Sequence, residues 1–339
     1  MTQVLGRPAD ADGPTAALGY HRAPDGSDGA PVALDLDRPH AALVVGKRGA
    51  GKSYTLGVLA EEIADAPGVT GIVADPMGAF DTLAAADGAQ VVEPQVPAGT
   101  LPPPAWCATL DVDPATPVGS LLWRAAAAAD ALPGMREAVA GADADRAARR
   151  AAQNHLSLAA SWDVFDPDAD PAAWLDGGVT VLDLAGLPRA PANAVLRAVA
   201  AAAYDAALAG DGPLPWLLVD EAHAFADCVA WAGLRRLLTR GRQPGVSCVL
   251  ASQRPGALPD VAVSQADLLL AHRLTARADR EALAAARPAY LAESLAERLP
   301  DGVGEAVVLD DVGERVHDVR VRERHTPHGG ESPRASSRR

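Results

Sequence analysis

The segment at residues 46–53 constrains this chain more than any other, because it reads GKRGAGKS and fits the pattern G-x-x-x-x-G-K-[ST] in full. Its glycines let the backbone curl so that several N–H groups converge on one point. An apolar run at 41–45 precedes the segment, and apolar residues at helical spacing follow it over 52–64. A strand, a glycine-rich turn and a helix in this order predict a phosphate-binding loop (P-loop).

Two side chains at the end of the P-loop suit the chemistry of a nucleoside triphosphate. We expect Lys52 to place its charge on the β- and γ-phosphates, and Ser53 to offer its hydroxyl to magnesium. The alternative, a glycine-rich turn without a nucleotide, does not account for the flanking strand and helix. The predicted nucleotide-contacting stretch comprises Gly46, Lys47, Arg48, Gly49, Ala50, Gly51, Lys52, Ser53 and Tyr54.

A second apolar run, at residues 215–219, ends in the adjacent carboxylates Asp220 and Glu221. Parallel sheets in α/β folds place their ligands at the carboxyl ends of such strands. We expect Asp220 to hold magnesium through water, and Glu221 to orient and deprotonate the attacking water. Two adjacent carboxylates are also consistent with a solvated strand end, but the P-loop favours the catalytic interpretation.

A third apolar run, at residues 246–251, ends in Ser252 and Gln253. If this strand lies beside the one that precedes Asp220, Gln253 points at the γ-phosphate. Its uncharged amide can then hydrogen-bond the attacking water or a phosphate oxygen. The alternative is a simple turn formed by Ser-Gln ahead of a proline.

Apolar strands alternate with helical stretches, which predicts an α/β fold with a mostly parallel sheet covered on both faces. We expect the core at 41–322, after a loose N-terminal lead-in with short strands at 1–40. Apolar strands vanish between about 115 and 176, where Ala- and Arg-rich sequence predicts a helical insertion. Alternating segments over 304–322 predict a closing β-hairpin, and the composition of 323–339 predicts a disordered tail.

The charge balance limits what the overall surface can bind. Asp and Glu total 44 against 30 Lys and Arg, the net charge is −14, and the only lysines are Lys47 and Lys52. Contact with a nucleic acid would therefore depend on local Arg groups. An acidic, Lys-poor surface suits a halophilic protein, because the Debye length falls to about 3 Å at molar salt. A codon bias toward Ala, Asp and Arg is the alternative explanation.

Three features of the sequence bear on the cellular compartment: apolar runs, the N-terminus and the cysteines. No uncharged apolar run is long enough to span a bilayer, and the N-terminus lacks the basic start and apolar stretch of a secretion signal. The three cysteines have no paired metal-ligand spacing. We therefore predict a reduced, cytoplasmic setting without membrane contact.

Two arginines flank Gly241 between the second and third apolar runs, in the segment RGRQPG at residues 240–245. Arg240 and Arg242 could complement the dipole of the helix that ends there. They could instead reach a nucleotide held by a neighbouring subunit, where an arginine raises turnover by roughly 10³–10⁵.

Taken together, these segments resemble the HerA/FtsK-type P-loop ATPases, and the HerA branch most. The resemblance covers residues 32–322, and it rests on motifs that follow one another along this chain in the same order as in the family. They are the P-loop, DPMGAF at 75–80, DEAHAF at 220–225, RGRQPG at 240–245, ASQRP at 251–255 and DLLLAHRLT at 267–275.

The resemblance implies a RecA-like core, ATP and Mg²⁺ as cofactors, hexameric rings with nucleotide between subunits, and ATP-driven DNA translocation. It favours Arg242 as the trans-acting arginine, with Arg240 second, and gives Arg273 an interface or sensor role. The sequence departs from the family at Ala79, where Glu is common, and in the short stretch of about forty residues before the core, which is too short for the family's usual β-barrel. These departures weigh against a helicase role in DNA end resection and leave ATP hydrolysis untouched.

The leading functional prediction is an ATP-hydrolysing motor that translocates or unwinds DNA, in repair, segregation, conjugation or packaging, with a nuclease or another DNA-processing protein as a candidate partner. A nucleotide-dependent switch or assembly ATPase that controls a protein partner is the alternative from another class. A DEAH-box helicase, suggested by residues 220–223, would need a second RecA-like domain and Ser-Ala-Thr, where this chain has Ala-Ser-Gln at 251–253.

Overall fold

A computed structural model describes residues 2–8, 11–23, 25–285 and 295–328 of the chain. The strands of these residues are β1 Gln3–Leu5, β2 Thr15–Arg22, β3 Asp28–Asp35, β4 Ala41–Val45, β5 Val69–Asp75, β6 Ala89–Val92, β7 Gly178–Asp183, β8 Leu214–Val219, β9 Ser247–Ser252, β10 Leu268–Ala271, β11 Glu305–Asp310 and β12 Arg315–Val321. The helices are α1 Lys52–Asp65, α2 Pro103–Thr109, α3 Pro117–Ala128, α4 Leu132–Ala140, α5 Arg146–Ala160, α6 Arg189–Ala209, α7 Val229–Arg240, α8 Asp260–Ser264, α9 Arg277–Ala285 and α10 Leu295–Arg298.

Within these ranges the strands form one 12-stranded sheet in the order β1-β3-β2-β12-β11-β10-β4-β9-β8-β5-β7-β6. Every neighbouring pair from β10 to β6 is parallel, and β11, β12, β2 and β3 extend the sheet in antiparallel fashion. The predicted mostly parallel α/β fold with a C-terminal hairpin is therefore confirmed. The hairpin lies inside the sheet, because β2 pairs with its outer strand.

Helices cover both faces of the parallel strands, which explains why those strands are apolar almost throughout. Val44 of β4 packs on the α1 side with Leu56 and Leu59. Leu43 and Val45 face the other side, where α6 and α7 pack. Helix α1 ends at Asp65, ahead of a proline and of Gly68, which adopts a left-handed φ of 78°. The amphipathic α1 thus holds the turn that precedes it against the sheet.

The helical insertion lies between β6 and β7 and has a core of its own, which includes Trp106, Met135 and Leu156. Its helices run from Pro103 to Ala160, whereas the sequence predicted about 115–176. The start differs because prolines stand in the first turn of α2, where a missing N–H costs no hydrogen bond.

The structure corrects the prediction of a disordered tail at its beginning. Residues 322–328, called here the C-terminal strap, lie across α1, and Arg324 and Thr326 contact Glu61 there. Residues 329–339 lie outside the described ranges. The N-terminal lead-in contains three strands, β1, β2 and β3, where the sequence predicted a loose segment with one or two short strands.

Candidate active site

The P-loop begins where β4 ends and bends around a point at the carboxyl edge of the sheet. Gly49 and Gly51 have φ angles of 74° and 123°, which a residue with a side chain rarely adopts. The turn is held by bonds from Ala50 N–H to the Lys47 carbonyl (3.1 Å) and from Thr55 N–H to the Gly51 carbonyl (2.8 Å). No side chain caps the first turn of α1 and no acidic residue lies in it, so its amides are available to an anion.

Ser53 and Asp220 meet at the carboxyl edge of the sheet, because only β9 separates β8 from β4. The Ser53 hydroxyl donates to Oδ2 of Asp220 at 2.8 Å. Burial raises the pKa of Asp220, and this hydrogen bond opposes the shift. Lys52 is only 5% exposed, and burial lowers its pKa against the opposing charges of Glu221 and Asp220. One cation, one hydroxyl and two carboxylates thus share a small region.

Glu221 adopts a left-handed backbone with φ 45°, which is costly for a residue other than glycine. Its N–H donates to Oδ1 of Asp220 at 2.9 Å, so the turn that follows β8 is closed on the carboxylate before it. Burial raises the pKa of Glu221, while Lys52 and the Gln253 backbone N–H lower it. A raised pKa suits a carboxylate that must accept a proton.

Strand β9 lies between β4 and β8 and delivers Gln253 beside Glu221, as the third apolar run predicted. His223 also belongs to this group, although sequence reasoning missed it. Its Nδ1 lies 3.2 Å from Oε2 of Glu221 and 3.4 Å from the Ser252 hydroxyl. The backbone of Gln253 lies beside Glu221, and the role of its side chain remains a prediction.

The segment at 75–80 forms a third side of the site. The Asp75 carboxylate accepts from the N–H groups of Met77 (3.1 Å) and Phe80 (2.8 Å), which folds this segment back on β5. Burial raises the pKa of Asp75. Met77 is 68% exposed at the mouth of the site, an unusual position for so apolar a side chain.

These elements enclose a cleft of about 670 Å³. Arg48 and Tyr54 of the predicted stretch line it together with Gly49, Gly51, Lys52 and Ser53, whereas Lys47 does not. The C-terminal hairpin and strap supply a further wall of the cleft, which no local pattern in the sequence predicted. The lining residues of that wall are Val303, Gly304, Arg320, Val321, Glu323 and His328.

His272 lies directly behind the P-loop and was also missed. It stands at the end of β10, whose neighbour is β4, and it is fully buried. A Cβ atom added at Gly46 would lie 2.7 Å from the His272 Cβ, and one added at Gly51 would lie 3.3 Å from its Cε1. The only available signal was its place after a buried strand in the segment DLLLAHRLT.

The predicted trans arginines lie at the other edge of the sheet. Arg240 ends α7, and Arg242 stands in the turn closed by the bond from Val246 N–H to the Gly241 carbonyl, ahead of β9. Six residues of β9 separate this turn from the carboxyl edge, a distance of about 20 Å. Neither arginine has a hydrogen bond or an ion pair within the described ranges, and both are exposed.

Arg273 is placed near the P-loop by its backbone. Its carbonyl accepts from Lys47 N–H at 2.9 Å, and its side chain donates to the Asp301 carbonyl at 2.9 Å. This arginine therefore ties the P-loop to the segment before β11.

A P-loop between a buried strand and a helix, with paired carboxylates at the end of a neighbouring strand, defines a P-loop nucleoside triphosphatase. The family model "Helicase HerA, central domain" matches residues 17–202, more than half of the chain. The chain therefore belongs to the HerA family, and it is a P-loop ATPase of that family.

Solved structures agree in fold. VirB4 of Thermoanaerobacter pseudethanolicus superimposes with a TM-score of 0.70 at 17% identity, over 92% of this chain and 97% of that one. The bacterial conjugative coupling protein TrwBΔN70 gives 0.64 at 14% identity, over 96% and 91%. The plasmid coupling protein TrwB in complex with ADP and Mg²⁺ gives 0.59 at 16% identity, over 95% and 98%. A search of curated proteins found no match in sequence.

Two further observations concern the parts of the chain that the structure describes. No helix there is long and apolar enough to cross a membrane. No group of three or more His, Cys, Asp or Glu side chains in those ranges is arranged to hold a metal ion by itself.

Proposed function

We propose that this chain is an ATP-driven motor that translocates or unwinds DNA, acting as a hexameric ring with nucleotide sites between subunits. The observation that carries the proposal is the meeting of Lys52, Ser53, Asp220 and Glu221 at one edge of a RecA-like sheet. The HerA family supports the motor function. The likeness to TrwB, a coupling protein solved with ADP and Mg²⁺, supports the choice of ligands.

The oxygen donors at the site fit magnesium. This ion prefers oxygen ligands and is usually held by one or two carboxylates together with substrate phosphates. Ser53 Oγ and Asp220 Oδ2 stand side by side at 2.8 Å, so both can face one ion. When bound, magnesium would neutralise part of the charge on the β- and γ-phosphates.

The residues of the chain have separate tasks in hydrolysis. The P-loop amides and Lys52 bind the phosphates and hold them in line for attack. Glu221 accepts a proton from the attacking water, and Gln253 hydrogen-bonds that water or a γ-phosphate oxygen. We assign His223 a positioning role, because its Nδ1 lies 3.2 Å from Oε2 of Glu221. The exposed Arg242 of the next subunit completes the charge around the γ-phosphate.

The test is hydrolysis by the purified chain in high salt, with and without linear duplex DNA, together with its mass in solution with a non-hydrolysable ATP analogue. We expect DNA to stimulate hydrolysis, and the analogue to shift the mass from subunit to ring. Hydrolysis that DNA leaves unchanged would instead favour the switch or assembly ATPase acting on a protein partner. Absence of any hydrolysis under all these conditions would contradict both functions.

A further inference from the structure

The buried carboxylate of Glu61 accepts most of the hydrogen bonds that hold the C-terminal strap on α1, and Arg322 also pairs with Glu62 at 2.6 Å. Glu61 accepts hydrogen bonds from the N–H groups of His325 (3.0 Å) and Thr326 (2.9 Å) and from the Thr326 hydroxyl (2.6 Å). It also accepts from the guanidinium groups of Arg322 (3.0 Å) and Arg324 (3.3 Å). Burial would raise the pKa of Glu61, but these donors outweigh it and lower that pKa to about 2. Glu61 is therefore ionised at neutral pH, the form that accepts all of these hydrogen bonds.

The strap places an aromatic pair at the mouth of the nucleotide cleft. The Arg324 N–H donates to the hydroxyl of Tyr54 at 2.7 Å. The rings of Tyr54 and His328 meet edge to face, with centroids 5.1 Å apart and an interplanar angle of 71°. Both residues line the cleft, and Tyr54 directly follows Ser53 in the sequence.

The two ends of the cleft differ in chemistry. At one end Asp220 and Glu221 surround the place of the terminal phosphate. The other wall comes from the hairpin, which is fastened to the P-loop by the bond from Gly304 N–H to the Ala50 carbonyl at 3.2 Å. That wall combines Val303, which is 68% exposed, with Val321 and the ring of His328, and it also carries the charged side chains of Arg320 and Glu323. Apolar and ring surfaces suit the flat, poorly charged end of a nucleotide.

We propose that Tyr54 and His328 form the wall against which the base of the bound nucleotide stacks, and that Glu61 positions this wall through the strap. This inference rests on the proposed nucleotide site. A planar base gains stacking energy from either ring, and the strap links base binding to the helix that begins at the phosphates.

The test compares two probes by calorimetry in the presence of magnesium: a non-hydrolysable ATP analogue and inorganic tripolyphosphate. Tripolyphosphate has the phosphates without the base. We expect Tyr54→Leu and His328→Ala each to weaken binding of the analogue about 10-fold or more, and to leave tripolyphosphate binding unchanged. Glu61→Gln should act in the same direction. His325→Ala, an exposed histidine on the same strap that keeps its backbone bond, is the matched control and should bind both probes as the wild type does.

Three results would overturn the inference. Unchanged affinity for the analogue in both Tyr54→Leu and His328→Ala would show that neither ring binds the base. Equal losses for analogue and tripolyphosphate mean that the rings only support the P-loop. A wild-type chain that binds neither probe contradicts the nucleotide site itself, so failure of the proposed function is distinguishable from failure of the base wall.

Discussion

Nε2 of His272 lies 2.9 Å from the hydroxyl of Thr55, which joins the end of β10 to the first turn of α1. Nδ1 of the same ring donates to the Glu305 carbonyl at 2.7 Å, so Nε2 acts as the acceptor. A neutral imidazole in one tautomer therefore supports the P-loop from behind. Burial lowers the pKa of His272 to about 4, although the bond to Glu305 opposes the shift.

The first prediction concerns acid stability. In the unfolded chain His272 takes up a proton near pH 6.5, whereas in the folded chain it does so only near pH 4. The neutral ring contributes to the free energy of unfolding, on the order of 3 kcal/mol in total. This contribution is complete above pH 6.5 and is lost as the pH falls toward 4. His272→Gln should be less stable at pH 7, and its unfolding temperature should fall less steeply between pH 6.5 and 4. Parallel pH curves for the two proteins would rule out this titration.

The second prediction concerns alkaline stability. Burial would lower the pKa of His40, but the hydrogen bond to Asp267 (3.0 Å) and the carboxylate of Asp35, whose Oδ2 lies 3.8 Å from Nε2, outweigh it and raise that pKa to about 9. The charged form stabilises the fold, so its contribution is complete below pH 6.5 and is lost as the pH rises through about 9. His40→Gln should be destabilised at pH 6 and much less so at pH 10. Chemical unfolding across this range measures the difference, and an equal deficit at both pH values would contradict it.

The third prediction separates the two lysines of the P-loop. Lys52→Ala should lose tight ATP binding or turnover, because its ammonium is the buried cation of the site. Lys47 does not line the cleft and anchors the loop through its backbone N–H, which Lys47→Ala retains. That variant is therefore the matched control and should hydrolyse ATP normally. Wild-type turnover in Lys52→Ala with loss in Lys47→Ala would reverse the assignment.

The fourth prediction concerns the catalytic base. Glu221→Gln keeps the shape of the side chain and the backbone bond to Asp220 but cannot accept a proton. We expect normal binding of ATP and magnesium with hydrolysis slowed by about 10²–10⁴-fold, which traps the assembled state. Single-turnover hydrolysis and nucleotide affinity measure the two effects separately. Unchanged turnover would show that a residue other than Glu221 is the catalytic base.

The fifth prediction concerns Arg242 and the ring. Each site in a head-to-tail ring would take Lys52 from one subunit and Arg242 from the next. Arg242→Ala and Lys52→Ala should each be inactive alone, and an equal mixture should regain up to about a quarter of wild-type hydrolysis if subunits pair at random. Arg235→Ala, an exposed position on α7, the helix before the turn that holds Arg242, is the control and should remain active by itself. Co-assembly without recovery would count against a trans arginine at this position.

The sequence predicted the local parts of the site and missed those that depend on distant contacts. The P-loop was identifiable because its strand, glycines and helix follow one another directly along the chain, from Ala41 to Asp65. Asp220 and Gln253 could be placed next to it because parallel strands end at one edge of the sheet. His272 could not, since its partner Thr55 is 217 positions away and buried histidines carry no pattern of their own.

The C-terminal strap shows the same limit more sharply. Residues 323–328 read ERHTPH, a polar composition that is typical of disorder. Their order comes from Glu61, which offers one buried carboxylate to five donors. No local feature of either segment indicates that they meet. The α2 start was misplaced for a different reason, because a run of prolines signals a loop and a helix start alike.

The pairing of β2 with β12 makes completion of the sheet a late event in biosynthesis. Arg322 Nε donates to the Ala17 carbonyl across 305 positions of the chain, and β2 pairs with β12 in the same region. A ribosome adds about 5–20 residues per second, so β2 emerges roughly 15 to 60 s before its partner exists. During that interval one edge of β2 is open to pairing with other chains. The nascent polypeptide is therefore most exposed to misassembly through its first strands, and the risk ends only when β12 leaves the exit tunnel.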